Sequence, residues 1–80
     1  RLSKEDIMSD DRRKEILIPR QICMYLIRQE LNEAYEKIGV EFGGKNHATV
    51  LHACNKIVEM LKQDQRLVRD VHEIKKELGL

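Results

Sequence analysis

Apolar residues recur at helical spacing along this chain, and their densest run covers residues 22–27. Six successive apolar residues exceed the single stripe of a surface helix, so this segment predicts a central helix that is contacted on several sides. Pro19 stands where a first helical position is expected, because proline lacks the amide donor that a helix start leaves unpaired. The pattern therefore predicts a long helix from Pro19 to about Leu31.

The segment before Pro19 has fewer apolar residues. Ser3 and Asp6 have the spacing of a capping box with an acid in place of the usual Glu, which predicts a short helix to about Ser9. Residues 10–15, DDRRKE, form a charge run without periodicity. We expect this run to be a solvated linker.

Shorter helices are predicted after the central one. Asn32 is expected to cap a helix over residues 35–41, with Ala34, Ile38 and Phe42 on one side, and Gly43-Gly44 ends it because glycine tolerates the left-handed conformation. Asn46 is expected to cap the next helix, whose inward stripe comprises Val50, Cys54, Ile57 and Leu61 with Ala53 and Val58 beside them. Residues 63–65 mark a further break. The last amphipathic helix carries Leu67, Val71, Ile74 and Leu78.

The sequence has no alternating strand pattern and no internal repeat. We therefore predict an all-α fold, a small helical domain with a helix-turn-helix over about residues 34–62. The 80 residues are expected to form one domain, and the start at Arg1 instead of Met suggests a fragment of a longer chain. A chain this short favours binding over catalysis. No apolar run approaches the ~20 residues of a membrane span and no leader is evident, so a cytoplasmic protein is expected.

The net charge is only +1, but its distribution is uneven. Residues 12–56 carry eight basic and five acidic side chains, whereas residues 1–11 carry two and four, and residues 57–80 carry five of each. A local basic zone is what phosphate binding requires.

Histidine and cysteine do not have the spacing of metal ligands. Cys23 and Cys54 fall among apolar residues and are expected to be reduced core residues, and the three histidines form no paired-ligand motif with them. The chain also lacks a phosphate-binding loop of the G-x4-G-K-[ST] type. We predict no metal, no catalytic residue and no cofactor in this fragment.

The stretch FGGKNHATV, at the start of the second helix of the predicted helix-turn-helix, is rich in hydrogen-bonding groups. A recognition helix presents its first residues to base edges, and the predicted major-groove residues are Lys45, Asn46, His47, Ala48 and Thr49. Lys45 can reach guanine or a phosphate, Asn46 can pair bidentately with adenine, and the methyls of Ala48 and Thr49 suit thymine. An ordinary interpretation remains open for each: a solvated lysine, a cap, a surface histidine and a buried hydroxyl.

Other polar and basic residues are candidates for positioning the domain on DNA. Arg20, Gln21 and Arg28 can contact the backbone without reading sequence. Arg12, Arg13 and Lys14 lie in the expected linker, and such an arm can enter a minor groove.

Two segments, PRQICMYLIRQEL and IGVEFGGKNHATVLHACNKI, resemble the C-terminal DNA-binding domain of the bacterial replication initiator DnaA. The resemblance covers nearly all of the chain, and PRQ, IG, FGG, H.TV.HA and KI are its specific elements. It implies a helix-turn-helix of the Trp-repressor type, which an ATP-binding domain precedes in the full protein. It also implies a TTATNCACA-type DnaA box as the double-stranded target, one monomer per box, and a cytoplasmic, nucleoid-associated location in bacteria.

The resemblance also implies roles for individual residues. Arg12 matches an arginine in the minor groove, Lys45 to Thr49 match the major-groove segment, and His47 matches the signature histidine. The positions near phosphates or groove walls are Arg20, Gln21, Arg28, Thr49 and Leu51, and we add Lys14 as a predicted phosphate contact.

The chain departs from the pattern of this family at several positions. Asn46 replaces a common Asp and could still accept through its oxygen, Ala48 replaces a common Thr, and Glu36 replaces a frequent Pro. Asp10 and Asp11 precede Arg12 where basic residues are usual. Retained but weaker binding is expected, with altered preference at one or two base pairs.

Two other functions stay open from the sequence. The same helices could form a protein-interaction module that docks a replication regulator. The chain could also be a homodimeric helix-turn-helix repressor, which would require a palindromic site.

Overall fold

A computed structural model of the protein describes residues 5, 7 and 13–80. Four helices follow one another from residue 14 onward: α1 (Lys14–Leu31), α2 (Tyr35–Glu41), α3 (His47–Gln63) and α4 (Gln65–Glu77). The described part of the chain contains helices and turns without strands, which confirms the all-α prediction. Of the short helix predicted over residues 3–9, Glu5 and Ile7 are described and both are helical, while the other positions lie outside the described residues.

The start of α1 differs from the prediction. The helix begins at Lys14, so Pro19 lies inside it instead of at its first position, and Lys14 and Glu15 are helical instead of part of a linker. Ile16 in the first turn is buried, which favours a helix that begins before Pro19 although proline cannot make one amide bond. That missing bond would have reached the carbonyl of Glu15, an exposed residue in the first turn where water can take its place.

Helix α1 is the centre of the domain and contacts α2, α3 and α4. On one side Ile22 and Leu26 pack against Ile57 and Leu67. On another side Met24 joins a cluster of buried residues from α2 and α3: Ile38, Phe42, Val50, Ala53 and Cys54. The apolar run at residues 22–27 is thus divided between two clusters, which confirms the prediction of a helix contacted on several sides.

The turn between α1 and α2 corrects the prediction for Asn32. Asn32 ends α1 in the left-handed conformation, with φ 53° and ψ 35°, and its amide donates to the carbonyl of Arg28 at 3.1 Å. Asparagine is among the few non-glycine residues that adopt this conformation readily. Ala34 occupies the N-cap position of α2 without a side-chain bond, so Asn32 does not cap that helix.

The turn between α2 and α3 depends on glycine at two places. Gly43 and Gly44 have φ of 87° and 78°, the left-handed region expected where a helix ends. Gly39, inside α2, is buried, and its carbonyl accepts a bond from the amide of Lys45 at 2.8 Å. A Cβ atom at Gly39 would overlap the carbonyl oxygen of Lys45. The absence of a side chain at position 39 therefore lets the turn lie directly on α2.

Helix α4 follows α3 through a single residue. Oδ1 of Asp64 accepts from the amides of Arg66 at 2.9 Å and Leu67 at 3.2 Å and so caps α4. Leu67 is buried, whereas Leu78 at the end of α4 is 49% exposed and Val58 of α3 is 39% exposed. Leu78 and Val58 were expected on inward stripes. Leu78 instead follows the last residue of α4, and Val58 is turned away from the buried face of α3 to which Ile57 belongs.

Candidate nucleic-acid interface

The first turn of α3 lies on the surface of the domain. Asn46 has extended backbone angles, and its Oδ1 accepts from the amide of Ala48 at 2.7 Å, which confirms the predicted cap. Asn46, His47 and Thr49 are exposed, and Lys45 and Ala48 are half-buried. The opposite face of the helix is buried through Val50, Ala53, Cys54 and Ile57. Packing against the core therefore fixes α3 while its first polar residues stay accessible.

The cap hydrogen bond engages one of the two polar atoms of the Asn46 side chain. Bidentate pairing with adenine uses the amide oxygen and the amide nitrogen together. Oδ1 accepts from the amide of Ala48, which uses one of its two lone pairs, so bidentate pairing with adenine stays a prediction. The cap does not use Nδ2, which remains as a donor on the same exposed side chain.

The start of α3 favours an anion. Its first turn contains no acidic residue, so the positive end of the helix dipole is not neutralised there, and Lys45 adds a positive charge beside it. Acidic groups are concentrated on α2 and just before it, where Nζ of Lys37 lies 3.1 Å from Oε1 of Glu33. The hydrogen bond from Lys37 lowers the pKa of Glu33, and the hydrogen bond with Glu33 raises the pKa of Glu41.

A surface depression joins the start of α3 to α1. It is lined by Leu17, Arg20, Gln21, Gly43, Gly44, Lys45 and Thr49. Two residues predicted to lie near phosphates, Arg20 and Gln21, are thus adjacent to two residues of the predicted major-groove segment. Leu17 was not predicted, because only the earlier start of α1 places it one helical turn before Gln21.

Gln21, one of the residues that line this depression, has an unpaired acceptor. Its Oε1 is buried, and it has no hydrogen-bond partner among the described residues. A buried acceptor without a partner costs about 1–3 kcal/mol. A donor from water or from a bound molecule would remove that cost.

Arg20 is placed differently from the prediction. Its side chain is buried, with an exposed fraction of 3%, and its Nε donates to the carbonyl of Ile7 at 2.7 Å. This bond ties α1 to the segment before it. The predicted direct phosphate contact does not fit such burial, because a phosphate approaches from solvent. Arg20 instead supports the wall of the depression.

The remaining predicted backbone contacts have varied surroundings. Nη1 of Arg28 donates to the carbonyl of Glu33 at 2.9 Å, and its guanidinium stacks 4.5 Å from the ring centre of Tyr35, which braces the turn between α1 and α2. Leu51 is half-buried on α3. Lys14 is exposed at the start of α1, beside a groove that it shares with Asp70 and Glu73. Arg12 lies outside the described residues.

The thiols lie away from this surface. Cys54 is buried, Cys23 is half-buried, and both are free. Burial raises the pKa of each thiol above its usual value, and the charge of Arg28 partly opposes this at Cys54. Over the described residues, no three side chains of His, Cys, Asp or Glu are grouped closely enough to hold a metal ion. None of the helices described is long and apolar enough to cross a membrane.

Comparison with known proteins supports the interpretation of the helix-turn-helix. Residues 1–57 match the family described as the bacterial DnaA protein helix-turn-helix. The chain is 46% identical over 77 residues to the chromosomal replication initiator protein DnaA of Levilactobacillus brevis, which covers 96% of the chain and 17% of that protein. It is 44% identical over 73 residues to the protein of the same name from Trichormus variabilis, which covers 91% of the chain and 16% of the relative.

Another protein of this name, from Limosilactobacillus reuteri, is 47% identical over 77 residues. The chain spans less than a fifth of the length of these curated relatives, since it covers 16–18% of each. The match with the family extends from residue 1 to residue 57, so it includes α1, α2 and the exposed first turn of α3. The chain belongs to the bacterial DnaA helix-turn-helix family.

Proposed function

We propose that this domain binds double-stranded DNA at DnaA-box-type sites, TTATNCACA-like, and thereby attaches a replication initiator to its origin. The observation that carries the proposal is the first turn of α3, which a core-packed helix holds at the surface with its polar residues accessible. This is the arrangement by which a recognition helix enters a major groove.

The readout combines two kinds of contact. Lys45, Asn46, His47, Ala48 and Thr49 face base edges, and the methyl groups of the last two suit the C5-methyl of thymine. The positive end of the α3 dipole, which no acidic side chain of the first turn neutralises, and the charge of Lys45 both attract phosphate. Arg12 occupies the adjacent minor groove.

Backbone contacts set the position of the domain on the duplex. We assign them to Lys14, Gln21, Arg28 and Leu51. Arg20 contributes indirectly, as a largely buried residue in the wall of the depression that Gln21 and Thr49 also line.

We further propose how the domain and the intact protein act in the cell. The domain acts as a monomer on each box, it catalyses no reaction itself, and it needs no cofactor to bind DNA. The intact protein works in the bacterial cytoplasm in association with the nucleoid.

Fluorescence anisotropy with a box duplex and a scrambled duplex of the same composition tests the function. We expect preference for the box and a loss of affinity with added salt, with log K falling by about 0.9 per neutralised phosphate for each unit of log salt. Equal binding to both duplexes, or binding that salt does not weaken, would contradict the proposal.

Substitution of His47 tests the major-groove contact. We expect His47→Ala to reduce discrimination at one base pair by roughly 1–3 kcal/mol. His72→Ala is the matched control, because His72 is also exposed but lies on α4. Arg12→Ala should instead weaken binding mainly through the A·T-rich half of the box. If the His47 and Arg12 variants lost affinity equally on the box and the scrambled duplex, neither residue would be a sequence reader.

A module that docks a replication regulator is the second candidate, and one observation favours it. A shallow, mainly apolar groove between α1 and α4 is lined in part by Tyr25, Leu61, Val68 and Val71. Because the groove does not include the start of α3, Val68→Glu should leave DNA affinity unchanged under the leading proposal.

Light scattering tests the third function, the homodimeric repressor, since a dimer would have twice the mass of the monomer.

A further inference from the structure

A single residue separates α4 from α3, and helical hydrogen bonds run up to it from both sides. The amide of Asp64 donates to the carbonyl of Met60 at 3.0 Å, and the carbonyl of Asp64 accepts from the amide of Val68 at 3.3 Å. The bend lies in the backbone angles of Asp64 itself, φ −127° and ψ 103°. Rotation of this one residue to helical angles would therefore join the two helices into one over residues 47–77.

The local sequence is compatible with such a straight helix. Residues 47–77 contain neither glycine nor proline, the residues that disfavour helix most. In the straight form, the amides of residues 65–67 would bond to the carbonyls of residues 61–63 in the ordinary helical pattern. In the bent form, Oδ1 of Asp64 instead accepts from amides of the first turn of α4. Backbone hydrogen bonds would thus replace the cap when the bend straightens.

Helix α4 cannot leave its site without a replacement, because its apolar face covers buried residues of α1 and α3. Leu67 is buried in one cluster with Ile22 and Ile57. Beside this cluster, Nζ of Lys75 lies 3.2 Å from Oε2 of Glu30 on α1. A straight helix would carry α4 away from α1 of the same chain and leave both apolar surfaces in water. The helix whose side chains fit the vacated site is α4 of a second copy.

Exposed valines on either side of the bend also fit a second copy. Val58 is 39% exposed and Val68 is 41% exposed. In a continuous helix, the alternating spacing of three and four residues that forms a coiled-coil seam is shared by Val58, Leu61, Gln65 and Val68. Two such helices that cross antiparallel about residue 63 bring Val58 of one copy against Val68 of the other, and the reverse. This contact is self-complementary, as a two-fold interface requires.

We propose that two copies of this chain exchange α4. In each copy α3 and α4 form one continuous helix, and α4 packs on α1 and α3 of the other copy. The contacts of α4 with α1 in the monomer recur between the copies, and a connection of one residue leaves no slack that would favour the bent form. The start of α3 stays with α1 and α2 of its own chain, so the exchanged dimer carries two candidate DNA surfaces. Exchange does not depend on what those surfaces bind.

Variants at the bend test the exchange. Gln65→Pro fits the monomer, because proline is favoured at the first residue of a helix and Asp64 before it already has extended angles. The same proline blocks the straight helix, since it cannot donate to the carbonyl of Leu61. Asp64→Ala acts in the opposite direction, because it removes the cap that only the bent form uses. Asn46→Ala is the matched control, since it removes a cap of the same kind at a helix start that a glycine turn separates from the preceding helix.

The first measurement is the mass of each protein after refolding from urea at millimolar concentration, by size-exclusion chromatography with light scattering. We expect a dimer beside the monomer in wild type and no dimer in Gln65→Pro. In Asp64→Ala the Kd of the dimer should fall roughly 30-fold, because a cap worth about a factor of five is lost at each of the two bends. Asn46→Ala should give the wild-type Kd, because its lost cap affects monomer and dimer equally.

The ion pair between α1 and α4 distinguishes exchange from a contact between two intact monomers. A carbodiimide can join the carboxylate of Glu30 to the amine of Lys75, and in the monomer this bond forms within one chain. In an exchanged dimer the same bond joins two chains. Isotope-labelled and unlabelled wild type are mixed before refolding, and the isolated dimer is cross-linked. Mass spectrometry should then find cross-links between Glu30 of a labelled chain and Lys75 of an unlabelled chain.

Several results would overturn the proposal. Wild type that stays monomeric after this refolding overturns it whatever Asp64→Ala does, and so does an Asp64→Ala dimer no tighter than that of Asn46→Ala. A dimer that forms equally in Gln65→Pro, or whose cross-links between Glu30 and Lys75 all lie within one chain, is a dimer of intact monomers and contradicts exchange. Circular dichroism checks that the variants fold. The cross-linking uses wild type alone, so it decides the matter even if Gln65→Pro does not fold.

Discussion

The start of α3 and the start of α4 are capped alike but are built for different surroundings. Asn46 and Asp64 each use a side-chain oxygen to accept from amides of the first turn. Residues 42–46 separate α3 from α2, and glycines at 43 and 44 turn the chain. Asp64 alone separates α4 from α3, and its own amide donates to the carbonyl of Met60 at 3.0 Å. The start of α3 thus follows a turn that exposes it, whereas the start of α4 follows α3 almost directly.

The charge that remains after capping differs as well. Asp64 leaves a carboxylate at the positive end of the α4 dipole, which stabilises the helix but repels a phosphate. Asn46 leaves a neutral amide, no acid follows in the first turn of α3, and Lys45 precedes it. A good cap therefore does not by itself make an anion site. Anion binding depends on the charge of the capping side chain and on the donors that the cap does not use.

The largest expected effect comes from Gly39→Ala. The added Cβ would overlap the carbonyl of Lys45. Neither atom can rotate away, because the backbone fixes the position of a Cβ and the carbonyl is itself backbone. We expect the free energy of unfolding to fall by about 3 kcal/mol in urea denaturation, at the upper end of overpacking costs. DNA affinity should fall too, because the turn that positions Lys45 and Asn46 must move.

Gly44→Ala is the control for Gly39→Ala. Gly44 has φ 78°, but a Cβ there meets nothing within 4 Å, so we expect only the backbone cost of about 1–2 kcal/mol. Equal losses in the two variants would show that close packing of the turn on α2 does not hold the start of α3 in place.

Removing the two caps should have the next largest effect. Asn46→Ala and Asp64→Ala should each lower the free energy of unfolding by about 1 kcal/mol, because each exposes amides that lose an acceptor. Only Asn46→Ala should also weaken DNA binding, measured by anisotropy on the box duplex. If Asp64→Ala weakened binding as much, the two helix starts would not differ in function, and the loss would reflect stability alone.

Local signals account for what the sequence predicted well. The glycine pair at 43–44 and the cap at Asn46 are adjacent in the chain, so residue type alone identified the turn and the exposed start of α3. The predicted helix-turn-helix at 34–62 corresponds to helices that span residues 35–63, since apolar periodicity also acts over short distances.

Tertiary packing accounts for what the sequence could not reveal. Pro19 indicates a helix start, whereas α1 begins at Lys14 and includes the buried Ile16, whose burial the sequence pattern did not indicate. Arg20 was predicted to contact the DNA backbone, but its side chain is buried and donates to the carbonyl of Ile7, which lies 13 residues away in the chain. The sequence analysis gave Gly39 no structural role, because that role depends on a turn that passes close to it in the folded domain. The sequence shows which residue types are present, but it does not show which side chains become buried against residues far away in the chain.

The smallest expected effect compares Lys45 with Lys62, which lies at the other end of α3, next to the start of α4. Nζ of Lys62 lies 3.1 Å from Oε1 of Glu59, and both side chains are 64% exposed, so Lys62→Ala should change the free energy of unfolding by less than about 0.5 kcal/mol. It should also leave the salt dependence of DNA binding unchanged, since this end of the helix is not offered to phosphate. Lys45→Ala should reduce the slope of log K against log salt by about 0.9, the effect of one lost phosphate contact. If the slope stayed the same while preference for the box fell, Lys45 would contact a base instead of a phosphate, and the attraction at the start of α3 would come from the helix dipole and its unpaired amides.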